Sequence, residues 1–134
     1  MNIKVYVPRD ATALSLGAGR VAAAHDREAQ RRGLRAQLVR NGSRGLFWLE
    51  PLVEVATAEG RRAYGPVTVQ DVPSLLDAGF LDGKSHPLHL GLTEEIKELK
   101  SQQRLTFARV GVIDPVSVDD YVAHSGYAGL KRAL

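Results

Sequence analysis

Hydrophobic and polar positions alternate at the start of the chain. Ile3, Val5 and Val7 fall on one side and Lys4 and Tyr6 on the other, the period-two signature of a half-buried strand. Pro8 ends that run, and the period changes. Leu14, Ala18, Val21, His25 and Ala29 recur at three- and four-residue spacing. That stripe predicts one long helix, capped by Asp10 and running to about Arg32, with Gly33 as its stop. RAQLVR, residues 35–40, alternates again and completes a strand–helix–strand unit. Leu52, Val53 and Val55 predict a third strand and Arg62, Ala63 and Tyr64 a short fourth, with TAEG between them as a hairpin turn. Thr68 and Asp71 have the spacing of an acidic capping box. Pro73 is tolerated only in the first turn of a helix, so that helix is predicted to start near Asp71.

From Leu81 the pattern loses this regularity. DGKSHPLHLG is turn-rich and reads as a linker or arm. Thr93 is expected to cap a helix over EEIKELKSQQRL, with Glu94 and Glu95 complementing its dipole. RVGVIDP interrupts, Ser117 opens a short helix that Gly126 ends, and YAGLKRAL starts another amphipathic helix, expected to be the beginning of a longer element. No internal repeat is present. The order βαβ, then a ββ hairpin, then α predicts an α/β fold. Its sheet has about four strands, parallel in the first pair and antiparallel in the hairpin, with flanking helices and a helical C-terminal extension. The order resembles thioredoxin-like folds, in which a cis-proline often stands where Pro51 stands, just before the third strand.

Composition narrows the chemistry. The chain has 134 residues, enough for one domain with a real core, and no cysteine. That excludes disulfides, a thiol nucleophile, cysteine-ligated zinc and an ordinary iron–sulfur cluster on this chain. The net charge of +3 comes largely from arginines at 20, 27, 31, 32, 35, 40, 44, 61 and 62. Acids are interspersed among them and no stripe pairs aromatics with basic residues, so no nucleic-acid partner is expected. No apolar run reaches the roughly 18 residues of a membrane span. MNIKVYVPRD lacks the basic head, apolar core and cleavage site of a signal peptide, so the expected location is cytoplasmic.

Candidate catalytic motifs fail one by one. GAGRVA, residues 17–22, has the G-x-G-x-x-A spacing of a dinucleotide site, but its glycines lie within the predicted helix and not at a strand's end. His86 and His89 in SHPLH have ligand-like spacing with no predicted helix or strand to fix them, and read as solvent-exposed. His25 reads as a hydrogen-bonded structural histidine, and His124 as a cation at a helix end. No nucleophile motif accompanies them, and GLFWLEP lacks the lysine and Ser/Thr of a phosphate loop. The reading is therefore of no catalytic, cofactor-binding or metal-binding residues.

What remains is RNGSRGLFWLEPLVEV, residues 40–55, a glycine-punctuated turn with two adjacent aromatics. In the C-terminal third, Gln103, Gly111, IDP at 113–115, Asp120-Tyr121 and Gly126-Tyr127 follow a pattern that resembles the segment leading into the flavin domain of NADH-binding flavoprotein subunits. These occur in complex I, NAD-reducing hydrogenases and NAD-dependent formate dehydrogenases. Ser125 departs from it where the family more usually has glycine. The front of the chain resembles the thioredoxin-like domain of such subunits. Relatives that carry a cluster there have C-x-G-x-C-x-x-x-P before the third strand, and here Ser43, Gly45, Phe47 and Pro51 occupy that pattern. The other cysteine pair falls near Pro8 and Ala13. The resemblance implies a cluster fold without its cluster, and is nearest to the beta subunit of molybdenum formate dehydrogenases.

It further implies FMN, NAD and an iron–sulfur cluster in the parent subunit, none on residues present here. The expected partners are a cluster-bearing small subunit and the molybdenum alpha subunit. Residues 1–83 are expected to form the thioredoxin-like domain, 84–118 a linker with one helix, and 119–134 the start of the flavin-binding domain. Arg40, Arg44 and Trp48 are the expected docking residues, with Phe47 filling the space of the missing cluster and Trp48 open to either role. The same pattern also accommodates a complex I-type or hydrogenase subunit, or a stand-alone interaction module.

Overall fold

The structure, a computed structural model, describes residues 3–134. β1 (Ile3–Tyr6) runs parallel to β2 (Ala36–Val39), with Val5 opposite Leu38. On its other side β1 pairs antiparallel with β3 (Val53–Thr57), which forms a hairpin with β4 (Gly60–Tyr64). The parallel pair and the hairpin follow the sequence pattern. A fifth strand does not: β5 (His89–Leu92), inside the stretch read as a linker, adds antiparallel to β4 and gives the order β2-β1-β3-β4-β5. It is four residues long, joins through an irregular register at Ala63/Tyr64, and contains Gly91 at φ +88°, so it carries no alternation to read. His89, expected to be free, is thereby fixed, half-buried, with its ring 4.9 Å from that of Tyr64. His86 is likewise half-buried.

The long first helix is broken. α1 (Ala11–Ser15) ends before Gly17, whose φ of +101° suits glycine and not an L side chain, and α2 (Ala18–Arg31) restarts behind it. Asp10 does not cap α1; its Oδ2 accepts from the Ser43 N–H at 3.1 Å. α2 turns Ala18, Val21, Ala22, His25 and Ala29 inward, the face the pattern predicts, although Leu14 on α1 is half-exposed. α3 (Asp71–Asp77) starts where Pro73 requires, and the Asp71 carboxylate accepts from the Thr68 N–H at 2.8 Å as a capping box does.

The core cluster lies between Val5 and Phe80. Val5, Val53, Val55 and Tyr64 face it from the sheet, and Phe80 closes it with its ring edge-on to Tyr64 at 4.9 Å. Burying a side chain of this size contributes about 1.5–3 kcal/mol. The opposite face of the sheet carries Tyr6, Glu54 and Arg61, as strand alternation requires.

Beyond β5 the long helix expected from Thr93 shrinks to a turn at Thr93–Glu95 and α4 (Lys97–Lys100). Ile96, at ψ 128°, interrupts the two, and the Thr93 side chain is buried without capping either. α5 (Val118–Ala123) has the expected cap, Ser117 Oγ accepting from the Asp120 N–H at 3.1 Å, and α6 (Ala128–Ala133) follows. Among the described residues no helix is long and apolar enough to cross a membrane.

Candidate functional site

The loop between β2 and β3 is built from two polar networks. In the first, Glu50 is buried, and its carboxylate accepts from Ser43 Oγ at 2.7 Å and from the Leu52 N–H at 2.8 Å. Ser43 Oγ in turn accepts from the Gly45 N–H at 3.0 Å, and the Ser43 N–H is held by Asp10. Burial raises the Glu50 pKa against the opposing pull of these donors. In the second, Glu54 is fully buried on β3. Its two oxygens meet Arg44 Nε at 3.0 Å and Arg61 Nη1 at 3.2 Å, and Asn41 Nδ2 stands 3.5 Å away. Arg44 also reaches Glu94 at 2.8 Å, and the Arg61 guanidinium lies 3.5 Å above the Tyr6 ring. Removing one partner of such a buried pair leaves a charge uncompensated, at a cost of about 3–5 kcal/mol.

The structure departs from three of the sequence expectations. Arg44 is not a surface cation: its side chain is buried against Glu54, and its guanidinium reaches the exposed Glu94 from below. Arg40 is partly withdrawn too: its guanidinium donates to the Val7 and Pro8 carbonyls at 3.0 and 3.1 Å. Burial, with Arg9 nearby, lowers its pKa. Phe47 does not fill the loop; it is 52% exposed, and its neighbour Trp48 is 62% exposed. Ser43 and Glu50, with Asp10, occupy the interior that Phe47 was expected to fill.

The two aromatics sit on a short 3-10 turn, Phe47–Leu49, whose placement is fixed from below. Leu46 is buried as its anchor, and the Leu49 N–H returns to the Leu46 carbonyl at 2.9 Å. Gly65 passes so close to the Leu49 carbonyl that a Cβ would collide with it. The Glu50–Pro51 peptide is cis, and the Pro51 carbonyl accepts from the Val67 N–H at 3.0 Å. Gly65–Pro66 is a second cis bond.

Residues 109–114 cross the Glu54 face of the sheet as a strap. Gly111 sits on the loop at φ +77°, where a Cβ would lie 2.5 Å from Arg44 Cδ and 2.9 Å from the Ser43 carbonyl. A cleft of about 420 Å³ opens between the two segments, lined by Asp10, Ser43, Val110, Gly111, Ile113 and Tyr121 among others. Apolar side chains on the C-terminal segment face outward, Leu105 at 92% exposure and Phe107 at 66%. Ser125, which stands where the flavoprotein pattern has glycine, holds φ +66°, a conformation glycine adopts without penalty.

An iron–sulfur cluster does not fit these residues. Where the resemblance would place ligands stand Ser43 and Phe47 and, near the other pair, buried Pro8 and Ala13, and none of the four offers a thiolate. Among the described residues no group of three His, Asp or Glu side chains is placed to hold a metal. Asp10, Asn41, Glu50 and Glu54, which shape the loop, were missed in the sequence. Apart from the Leu52 N–H, two residues from Glu50, their partners lie 7 to 70 residues away, and local spacing holds no signal for them.

Comparison with known proteins fixes the fold. No protein-family profile matches the chain. The thioredoxin-like [2Fe-2S] ferredoxin from Aquifex aeolicus superimposes with a TM-score of 0.56 at 20% identity, covering 67% of this chain and 97% of the ferredoxin. A second structure of a thioredoxin-like [2Fe-2S] ferredoxin from the same organism gives 0.56 at 18% identity, over 67% and 91%. A variant of that ferredoxin with serine in place of one cysteine gives 0.56 at 21%, over 66% and 98%. The chain has a thioredoxin-like fold. The likeness at this identity concerns architecture alone.

Proposed function

We propose that this chain is the clusterless thioredoxin-like domain of the NADH-binding flavoprotein (beta) subunit of a molybdenum NAD-dependent formate dehydrogenase, and that its work is docking. In this reading residues 1–83 form the docking domain and 84–118 the arm, whose strand β5 adds to the domain's sheet. Residues 119–134 begin the flavin-binding domain, where FMN, NAD and a cluster of the parent subunit would be held by residues outside this sequence. The domain carries no electron itself. It positions the flavoprotein against a cluster-bearing small subunit and, through it, the molybdenum alpha subunit.

The observation that carries the docking reading is Trp48, 62% exposed beside half-exposed Phe47 on a turn fixed by Leu46 and Gly65. A large aromatic held rigidly in solvent forgoes burial and is the side chain most often found at the centre of protein interfaces. Arg44, locked inside, leaves the docking group, and Arg40 contributes at most the exposed part of its side chain.

Trp48→Ala in the complete subunit tests this. Folding should be unchanged, because the side chain covers little of the core. Binding to the cluster-bearing subunit, measured by titration of the purified subunits, should weaken by about 30-fold or more, the scale of an interface hot spot. Normal folding with unchanged assembly sinks the docking reading.

A further inference from the structure

We infer that the strap over residues 109–114 is a releasable latch on the loop, with Glu54 as the residue that sets its catch. Three consecutive strap carbonyls accept from the domain. Gly111 O takes Asn41 Nδ2 at 2.8 Å, Val112 O takes Arg61 Nη2 at 2.8 Å, and Ile113 O takes the Gly42 N–H at 3.2 Å. Two of the three donors, Asn41 and Arg61, are aimed by the same buried carboxylate, Glu54. Arg9, 3.8 Å from Asp114, adds a fourth, weaker polar contact at the strap's end.

The seam is polar where the core is apolar. Val110 is half-exposed, Val112 and Ile113 are only partly covered, and no strap residue belongs to the core cluster. Opening it returns the strap carbonyls to water, which replaces most of what they lose, and gives up little apolar burial. Closure also leaves acceptors stranded: Asp10 Oδ1 and Asn41 Oδ1 are both buried without a partner beside the strap. Such stranded groups oppose the closed state. A segment held by few, polar contacts over a stable core opens locally at far lower free energy than the whole domain unfolds.

Gly111 decides how closely the latch can seat. Only a residue without a Cβ clears Arg44 Cδ and the Ser43 carbonyl. When the strap lifts, the face it covers presents Asn41 and Ser43, both buried while it is closed, and more of the partly buried Asp10, and Leu105 to Val110 move with it. The loop therefore has two surfaces, one for each position of the strap, and this holds whichever complex the domain serves.

The Gly42 amide, whose acceptor is on the strap, is the reporter. Hydrogen exchange on the full chain should show Gly42 exchanging at least about 100-fold faster than the Val5 and Val55 amides of the central strands. Gly111→Ala should accelerate Gly42 a further ~10-fold and speed tryptic cleavage after Arg109, with the strand amides unchanged. Glu54→Gln should do the same if it folds, and Gly111→Ala stands alone as the test if it does not. Gly42 exchanging at the rate of the central strands, or a variant that accelerates every amide equally, overturns the latch.

Discussion

Acid should loosen this domain most through its deeply buried histidine, His25; His89, whose pKa is also lowered by burial and by Arg62, adds in the same direction. His25 is 4% exposed on α2, and neither ring nitrogen has a hydrogen-bond partner, contrary to the hydrogen-bonded role its position first indicated. Phe80 stands edge-on at 6.2 Å, and Val72, Leu75 and Leu76 of α3, with Val7, Val53 and Val67, complete an apolar wall. Among the described residues its charged neighbour is Asp26, 3.8 Å from Nδ1, and it is half in solvent. Burial therefore lowers the His25 pKa from its ordinary 6.5, and Asp26 offsets only part of that. In the unfolded chain the ring takes a proton near pH 6.5; in the folded one it resists until lower pH. The unfolded state thus binds more protons in that interval, so stability is intact above about pH 6.5 and declines as pH falls below it.

The slope due to His25 cannot exceed one proton, about 1.4 kcal/mol per pH unit, until the folded state is protonated too. Replacing the ring by leucine removes both the titration and two stranded nitrogens. The latter should stabilise the domain by about 1–3 kcal/mol at pH 7, less any cost of refitting the side chain. Urea unfolding of the native chain and His25→Leu at pH 7.5, 6.5 and 5.5 measures both. The native midpoint should fall relative to the variant's across the lower interval. Parallel midpoints over all three values would refute the assignment of the pH dependence to His25.

Two further substitutions test how the loop is held. Glu50→Ala should destabilise by about 1–3 kcal/mol in thermal or urea unfolding, because Ser43 Oγ and the buried Leu52 N–H lose their acceptor. Phe47→Ala should stay within about 0.5 kcal/mol, as half-exposed positions do, whereas a large loss there would restore Phe47 as the filling of the loop. Gly65→Ala should cost about 1–3 kcal/mol by pushing the Leu49 carbonyl aside, and Trp48 fluorescence should shift as its turn moves; a silent variant would show the turn to be loosely seated.

The sequence was most legible where one face of an element meets the core. Val5 and Val7, Val53 and Val55, and the inward face of α2 keep their periods because a contiguous apolar surface enforces them. Chain punctuation was readable for the same local reason: Pro73 fixed the start of α3 and Ser117 that of α5. Gly17 shows the limit, since a glycine inside a helical period reads as tolerated until its φ is known. Glu54 shows a deeper one. Alternation assigns it to a solvent face, correctly in direction, yet residues 109–114 cover that face. A contact made some sixty residues further along the chain leaves no mark on the local period. Arg44 and Trp48 looked alike as candidates for the surface, and only the third dimension separates the buried one from the exposed one.

The hydrogen bonds among Ser43, Glu50 and Asp10 give the loop an indifference that a metal-held loop lacks. A turn organised by iron answers to chelators, to oxidants and to the electrons passing through its cluster. This turn answers to none of them, because no group in it changes valence or can be stripped away. In surroundings that cycle between oxidised and reduced forms, the cycle itself therefore has no grip on this loop, and whichever of its two surfaces is shown is set by the strap and not by the redox state.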